Sequence, residues 1–348
     1  MWDKYIIFVL LNYSTMNFKT LPQLLDYFKE EKTCIEHYEK LRWNGKVICP
    51  FCGHDKIYRT NRGFKCANNK CYKKFTVKVG SIFENSNISL RTFFAAIYIC
   101  SAHKKGISSL QLSRDLGITQ KTAWFVLHRV REMLKSESST MLRGTIQVDE
   151  TYVGGKTKNK HIAKRKEIIK SGNSLKDKTP VIGLLEKDGK VIAFVARNTG
   201  DKTLKTYMYK HVEKNSTVVT DGFLAYRNIE GDYTHIVVKG QTGRYVVDGK
   251  FHTQNIENFW SHFKRGLIGI YHYMSEKHLQ RYCEEFSYRY NTRKISDAER
   301  FDTILTHTKG RLKYKDLTAN VSREVLDYRE LLKQELLKNL GRDNNAQA

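Results

Sequence analysis

Four cysteines stand in two short pairs, Cys49-x2-Cys52 and Cys66-x4-Cys71, with 13 residues between the pairs. Zinc takes four soft ligands at the corners of a tetrahedron, and two tight knuckles that each offer two thiolates supply them. Pro50 and Gly53 suit the turn that aims the first two sulfurs inward. The spacing therefore points to structural zinc on Cys49, Cys52, Cys66 and Cys71, in a segment too small to fold on its apolar residues alone. A redox C-x-x-C would leave the second pair unexplained. Cys34, Cys100 and Cys283 fit no ligand spacing and read as small buried apolar residues.

A second set of residues is acidic. Asp149 follows the strand-like run Thr145 to Val148 in VDETYVGGK, and Gly154-Gly155 suggests a hairpin turn. Period-2 alternation puts Gln147, Asp149 and Thr151 on one face and Val148 and Glu150 on the other, so one acid of the adjacent pair faces a given site. Asp221, in STVVTDGF, also ends an apolar run and precedes a glycine. Glu257 lies in NIENFWSHFKRG, where ~100° per residue aligns Ile256, Phe259, Trp260, Phe263 and Leu267 as an apolar stripe. Glu257, Ser261 and Lys264 lie together beside that stripe, because seven residues make almost two turns. Any one of these acids reads as a solvated charge or a helix cap. Three of them, two closing strands and one on a packed helix, suit two-metal phosphoryl transfer. Asp149, Asp221 and Glu257 would then hold two Mg2+ (or Mn2+) ions roughly 4 Å apart.

The rest of the 348 residues must position these groups. Lysine and arginine outnumber aspartate and glutamate 61 to 36, a formal charge of +25, which points to a polyanionic partner and first to nucleic acid. Hydrophobic residues make up 40%, enough for a true core and against wholesale disorder. No run of ~18 apolar residues exists, so no membrane span is expected. The N-terminal piece lacks the features of a signal peptide, and Met16 is an alternative start. Seven cysteines, an odd number with four clustered, argue for a reducing compartment, hence a cytoplasmic protein.

Along the chain, residues 17 to about 40 read as a helix after an N-terminal extension (1–40 in all), and 41–82 as a zinc ribbon. Residues 88–138 hold GISSLQLSRDLGITQKTAWFVLHRVREML, in which Ser108 or Ser109 caps a first helix, Gly117 turns and Thr119 caps a second. That is the sequence form of a helix-turn-helix, with Gln120, Lys121, His128 and Arg129 expected to face the major groove of double-stranded DNA. From Gly144 the pattern becomes short strands, GTIQVDETYV, PVIGLLEKDG, KVIAFVARN and STVVTDGF, with the helix-like LKTYMYKHVEK before the last. Helical patterns return at 255–293, where Leu279, Tyr282, Phe286 and Tyr290 read as core, and at 321–340. The whole is α/β, with a catalytic domain over 142–300 and a helical tail over 301–348. Residues 156–178, dense in lysine and without an apolar stripe, read as an inserted mobile loop, and Lys164, Arg165 and Lys166 as phosphate contacts.

These motifs together resemble the IS1595-type insertion-sequence transposases, whose catalytic part is the ISXO2-like domain. The resemblance rests on CPFCG with its second cysteine pair, KTAWFVLHRVR, VDETYVGGK, TDGFLAY and HTQNIENFWSHFKRGLIGIYHYMSEKHLQRYCEEFSYRYNTR, and covers about residues 17 to 300. It implies a ribonuclease H-like fold, a mixed sheet with flanking helices, and a D-D-E triad of Asp149, Asp221 and Glu257, with Lys264 contacting a phosphate near the cut. Some relatives place Asn or His third, and Asn255 and Asn258 stand beside Glu257, which alone pairs with Lys264. His252, Tyr271 and His272 belong to the same motif without an assigned role. The function implied is a DNA transposase: it binds terminal inverted repeats, hydrolyses a phosphodiester at each element end and joins the freed 3′ hydroxyl to target DNA. Synapsis of two ends implies at least a dimer, in the bacterial nucleoid. Two other classes stay open, a DNA-binding regulator with an inert catalytic domain and a structure-selective nuclease.

Overall fold

Thr20 opens the first helix, α1 (Leu21–Tyr27), its hydroxyl accepting the Gln23 N–H with Pro22 in the first turn. The computed structural model describes residues 18–135, 141–155, 157–171, 175, 177–226, 229, 231–238 and 246–319. The N-terminal extension as far as residue 17, and the expected C-terminal helix with Val325, Tyr328, Leu332 and Leu336, lie outside the described residues. The chain divides into two units, Met1–Arg311 and Leu312–Ala348. In the second, Tyr314–Thr318 is a short helix.

The single helix expected over 17–40 is two. After α1 the chain breaks at Phe28 to Glu30, and α2 runs over Glu31–Trp43. The break turns both helices around Phe28, which is fully buried, with its ring 4.9 Å from Phe94 and 5.8 Å from Phe301. Three short strands follow, β1 (Ile57–Thr60), β2 (Gly63–Cys66) and β3 (Lys74–Phe75), paired antiparallel in that order. Phe64 and Phe75 form their small core, with Trp43 from α2 against both rings. The guanidinium of Arg42 anchors the segment beyond β3 through the Val77 and Val79 carbonyls.

Helix α3 (Leu90–Ala102) is capped by Ser89 and is buried over nearly its whole length. Next come α4 (Ser109–Leu116), capped by Ser108, and α5 (Gln120–Met133), capped by Thr119, joined through Gly117 in the left-handed region at φ 63°. Both caps and the glycine turn are those read from the sequence.

The large sheet is built from β4 (Thr145–Val153), β5 (Thr179–Glu186), β6 (Val191–Val195), β7 (Thr217–Thr220) and β8 (Thr234–Val237). Its order is β6-β5-β4-β7-β8, antiparallel across β6, β5 and β4 and parallel across β4, β7 and β8. Strand β8 carried too short a run to be expected. Glycines 154 and 155 do not close a tight hairpin. Strands β4 and β5 are antiparallel neighbours, but their connection spans 154–178 and contains helix α6 (Ile162–Lys170), where a mobile loop was expected. One apolar side chain of α6, Ile168, is buried, which explains why no stripe was legible. Helix α7 (Asp201–His211) crosses from β6 to β7.

Two long helices follow, α8 (Gln254–Gly266) and α9 (Glu276–Asn291), separated by a π turn over Leu267–Tyr271. Ile256, Phe259, Trp260 and Phe263 of α8 pack with Val181, Leu185 and Ala193 of the sheet and with Leu279, Tyr282 and Phe286 of α9, as the helical stripe predicted. Gly183 of β5 permits this approach: a Cβ there would lie 2.6 Å from Trp260 Cζ2 and 2.9 Å from Ile256 Cδ1. Helix α10 (Asp297–Thr306) opens with a Ser296–Glu299 capping box and sends Phe301 back between α1, α2 and α3. The expected domain boundary at 300 thus falls inside a helix.

Gly183→Ala should overpack the sheet against α8 and cost about 1–3 kcal/mol, read by urea denaturation. An unchanged midpoint would show that α8 does not rest on β5.

Candidate active site and metal centre

Register carries the acidic site. Strands β4 and β7 pair Thr145 with Thr217, Ile146 with Val218 and Gln147 with Val219. Counting on by two places Asp149 level with Asp221, one residue beyond the end of β7. Asp149 is therefore not the end of its strand, as expected, but lies within a nine-residue strand that continues to Val153. On its other side Asp149 is opposite Gly183, the residue under Ile256 and Trp260 of α8. Gln147 fixes the start of α8, accepting the Ile256 N–H at 3.0 Å, and Glu257 is the next residue.

Each acid is held by a local bond. The Asp149 carboxylate accepts the Glu150 N–H at 2.9 Å, Asp221 accepts the Phe223 N–H at 3.0 Å, and Glu257 accepts the Thr253 hydroxyl at 2.7 Å. Burial pushes the Asp149 carboxyl up to about 7, and the charges of Glu150, Asp221 and Glu257 add to the rise. The two remote acids are thus near enough to act on Asp149. The three carboxylates do not form one tight ligand cluster. Among the described residues, the four cysteines are the one such group with all ligand atoms within 4.8 Å of one another. Mutual repulsion keeps like charges apart, and a two-ion site spans roughly 4 Å between its ions.

Glu150 was assigned to the opposite face of β4, and the structure gives it a partner that sequence reasoning missed. The buried Tyr226 hydroxyl donates to Glu150 at 2.8 Å. Burial and the charge of Asp221 raise the Glu150 carboxyl, while this bond opposes the rise. The only available signal was the tyrosine five residues beyond Asp221 in TDGFLAY. Lys264 is exposed on α8, seven residues past Glu257, which is also exposed.

The cysteine set is a metal centre in shape. The Sγ atoms of Cys49 and Cys71 are 3.9 Å apart and those of Cys52 and Cys66 3.6 Å. A tetrahedron with Zn–S near 2.3 Å requires sulfurs about 3.8 Å apart, so this donor set fits zinc. Backbone bonds shape the knuckles: Gly53 N–H to the Cys49 carbonyl, and Cys71 and Tyr72 N–H to the Asn68 carbonyl, each 2.9 Å.

The expected DNA-facing residues separate into two groups. Gln120 and Lys121 are exposed in the first turn of α5, and Lys164, Arg165 and Lys166 are exposed on α6. His128 and Arg129 are not available to DNA, which corrects that expectation. His128 is fully buried, its ring 4.4 Å from Trp124 and 4.6 Å from His278, and burial depresses its pKa to about 2. Arg129 is 4% exposed, lies 4.3 Å over the Phe125 ring and donates to the Glu84 carbonyl. The latter half of α5 is packed on both sides, against α3 and α9, so a one-stripe reading fails there.

Both regions, the acid-bearing mixed sheet and the four-cysteine ribbon, match families of known proteins. Residues 141–291 match the ISXO2-like transposase domain, and residues 29–74 match the transposase zinc-ribbon domain. Both matched models describe transposase domains of the IS1595 type. A protein of Halobacterium salinarum, described as an uncharacterized protein in transposable element ISH50, is 26% identical over 293 residues, covering 80% of this chain and 97% of that protein. No helix among the described residues is long and apolar enough to cross a membrane.

Purified protein should carry about one zinc per chain, and Cys66→Ser should lose it, measured by atomic emission. Equal metal content in parent and variant would overturn the assignment.

Proposed function

We propose that this chain is a DNA transposase that cuts the ends of its element and joins them to target DNA. The observation that carries the reading is the β4–β7 register, which sets Asp149 level with Asp221 inside the matched domain, with Glu257 on the helix packed across the same strand. The mixed sheet with flanking helices supports a ribonuclease H-like catalytic domain.

Asp149, Asp221 and Glu257 would hold two Mg2+ or Mn2+ ions. Their oxygens are the donors such hard cations take, and a half-buried carboxyl raised by its neighbours gains most from a cation. When bound, the ions would supply Lewis-acid stabilisation of the attacking and leaving oxygens at the phosphodiester. The chain's own part is positioning. Gln147 and Thr253 set Glu257, Tyr226 holds Glu150 beside the centre, and Lys264, on the Glu257 side of α8, pairs with a phosphate near the cut. The ribbon and the α4–α5 pair, read as a helix-turn-helix, bind terminal repeats through Gln120 and Lys121. The basic α6 tracks the backbone of duplex DNA. Two chains bring two ends together.

The test is strand transfer with the element's own ends. Asp149→Asn and Asp221→Asn should each lower joining at least about a hundredfold, since the ions contribute several kcal/mol to the transition state and each 1.36 kcal/mol is tenfold. End binding should be kept. Variants that join ends as well as the parent would leave a DNA-binding regulator. Cutting of branched DNA without regard to end sequence would indicate a structure-selective nuclease.

Asp149 also sets a pH dependence. Its carboxyl titrates near 7 in the folded chain and near 3.9 when unfolded. The raised value contributes stability that is full below about pH 4 and lost as pH rises through 7, where the carboxylate must stay ionised and buried. A cation removes that penalty. Millimolar Mg2+ should therefore raise Tm more at pH 8 than at pH 6, in a thermal melt. Equal rises at both would dismiss Asp149 as a ligand.

A further inference from the structure

Away from the acids, one buried carboxylate receives donors from three separate parts of the fold. Glu285 of α9 is wholly inaccessible. Its Oε2 accepts Arg131 Nε of α5 at 2.6 Å, and its Oε1 accepts the Tyr271 hydroxyl at 2.5 Å and a guanidinium N–H of Arg289. Arg289 also donates to the Cys100 carbonyl of α3 at 2.8 Å. Arg131 is 1% exposed, with its guanidinium 4.1 Å from the Tyr282 ring.

The parts joined here have different tasks. Tyr271 ends the π turn that directly continues α8, the helix of Glu257 and Lys264. Arg131 is in α5, whose first turn presents Gln120 and Lys121. The segment leading into α4 is pressed on the same tyrosine: a Cβ on Gly106 would lie 1.9 Å from the Tyr271 hydroxyl oxygen. Gly266, the last residue of α8, is equally close-packed, with a Cβ there 2.3 Å from Phe286 Cζ and 3.1 Å from the Lys105 carbonyl. Stability alone does not require such a network, since replacing buried ion pairs with apolar residues of like volume is often neutral or stabilising. A network of fixed directions instead holds two helices in one relative register.

We propose that Tyr271 is a positioning residue: through Glu285 and Arg131 its hydroxyl fixes the acid-bearing α8 against the α4–α5 pair, so that end recognition and strand cutting act at one set spacing. This rests on the transposase reading above. An ångström of misplacement is enough to cost a reaction up to about a hundredfold.

The experiment uses the full chain, Mg2+ and a duplex of the element's own terminal repeat, comparing the parent with Tyr271→Phe. This variant keeps the ring packing on Tyr282 and leaves Glu285 its two arginines. Affinity for the duplex should stay within about twofold. The single-turnover rate constant at saturating protein should fall roughly tenfold, and cuts should scatter over neighbouring phosphodiesters. A smaller folded fraction lowers the amplitude of such a reaction but moves neither the rate constant nor the cut position. Gly106→Ala, which drives a methyl against the same hydroxyl, should give the same scatter. Parental rate and cut position in Tyr271→Phe would overturn the proposal. A parent that cuts no end, or an Asp149→Asn protein that cuts as well as the parent, would overturn the transposase reading and this inference with it.

Discussion

The parallel pairing of β4 with β7, in the middle of the large sheet, is the constraint on which the acidic site depends. Parallel neighbours need a long crossover, and here β5, β6 and α7 lie between them in the chain. The strands buried on both faces, Ile146, Val148, Val218 and Val219 among them, hold the register by packing. A slip of one residue would turn each side chain to the other face and move Asp149 out of line with Asp221. The site itself opposes the fold. A half-buried aspartate, crowded by three further acids, is raised to about 7 in a chain of net charge +25.

Polar groups do different work in the two halves of the unit. The carboxylates of Asp149, Asp221 and Glu257 themselves accept local hydrogen bonds: the Glu150 N–H to Asp149 one residue away, the Phe223 N–H to Asp221 two away and the Thr253 hydroxyl to Glu257 four away. They set rotamers. Around Glu285 the bonds cross the chain, with Arg131 154 residues distant and Cys100 189 residues from Arg289. They set the arrangement of helices. Apolar packing alone, which tolerates exchange among side chains of similar volume, would specify that arrangement less sharply.

Features of short range were readable from residue order. Four cysteines in two knuckles reveal a metal through local spacing, and the caps Ser108 and Thr119 mark helix starts within three residues. The stripe Ile256, Phe259, Trp260 and Phe263 shows one buried face because the sheet and α9 together cover that one side. What escaped depends on distant neighbours. The burial of His128 and Arg129 follows from a second layer on α5, which periodicity along α5 cannot reveal. Phe28 breaks an apparently continuous helix because Phe94 and Phe301 meet it. The polar α6 buries only Ile168 of its apolar residues, too little for a stripe. Tyr226 finds Glu150 across 76 residues. Asp149, Asp221 and Glu257 stand out in the sequence as residue types in apolar settings, whereas the level placement of Asp149 and Asp221 required the register.

Helix α10 closes the molecule in a way that bears on how it is made. Phe301 sits within 6.4 Å of the rings of Phe18, Phe28, Phe94 and His37, and Asp302 bonds to His37 at 2.9 Å. The Thr308 carbonyl accepts the Ile82 N–H, and its hydroxyl bonds to Tyr38. The N-terminal helices therefore cannot complete their core until the ribosome has passed residue 308. A nascent chain released early, even just beyond α9, lacks the wedge that organises its beginning. Premature termination should then yield chains whose N-terminal core stays open to proteases, so that only full-length copies accumulate.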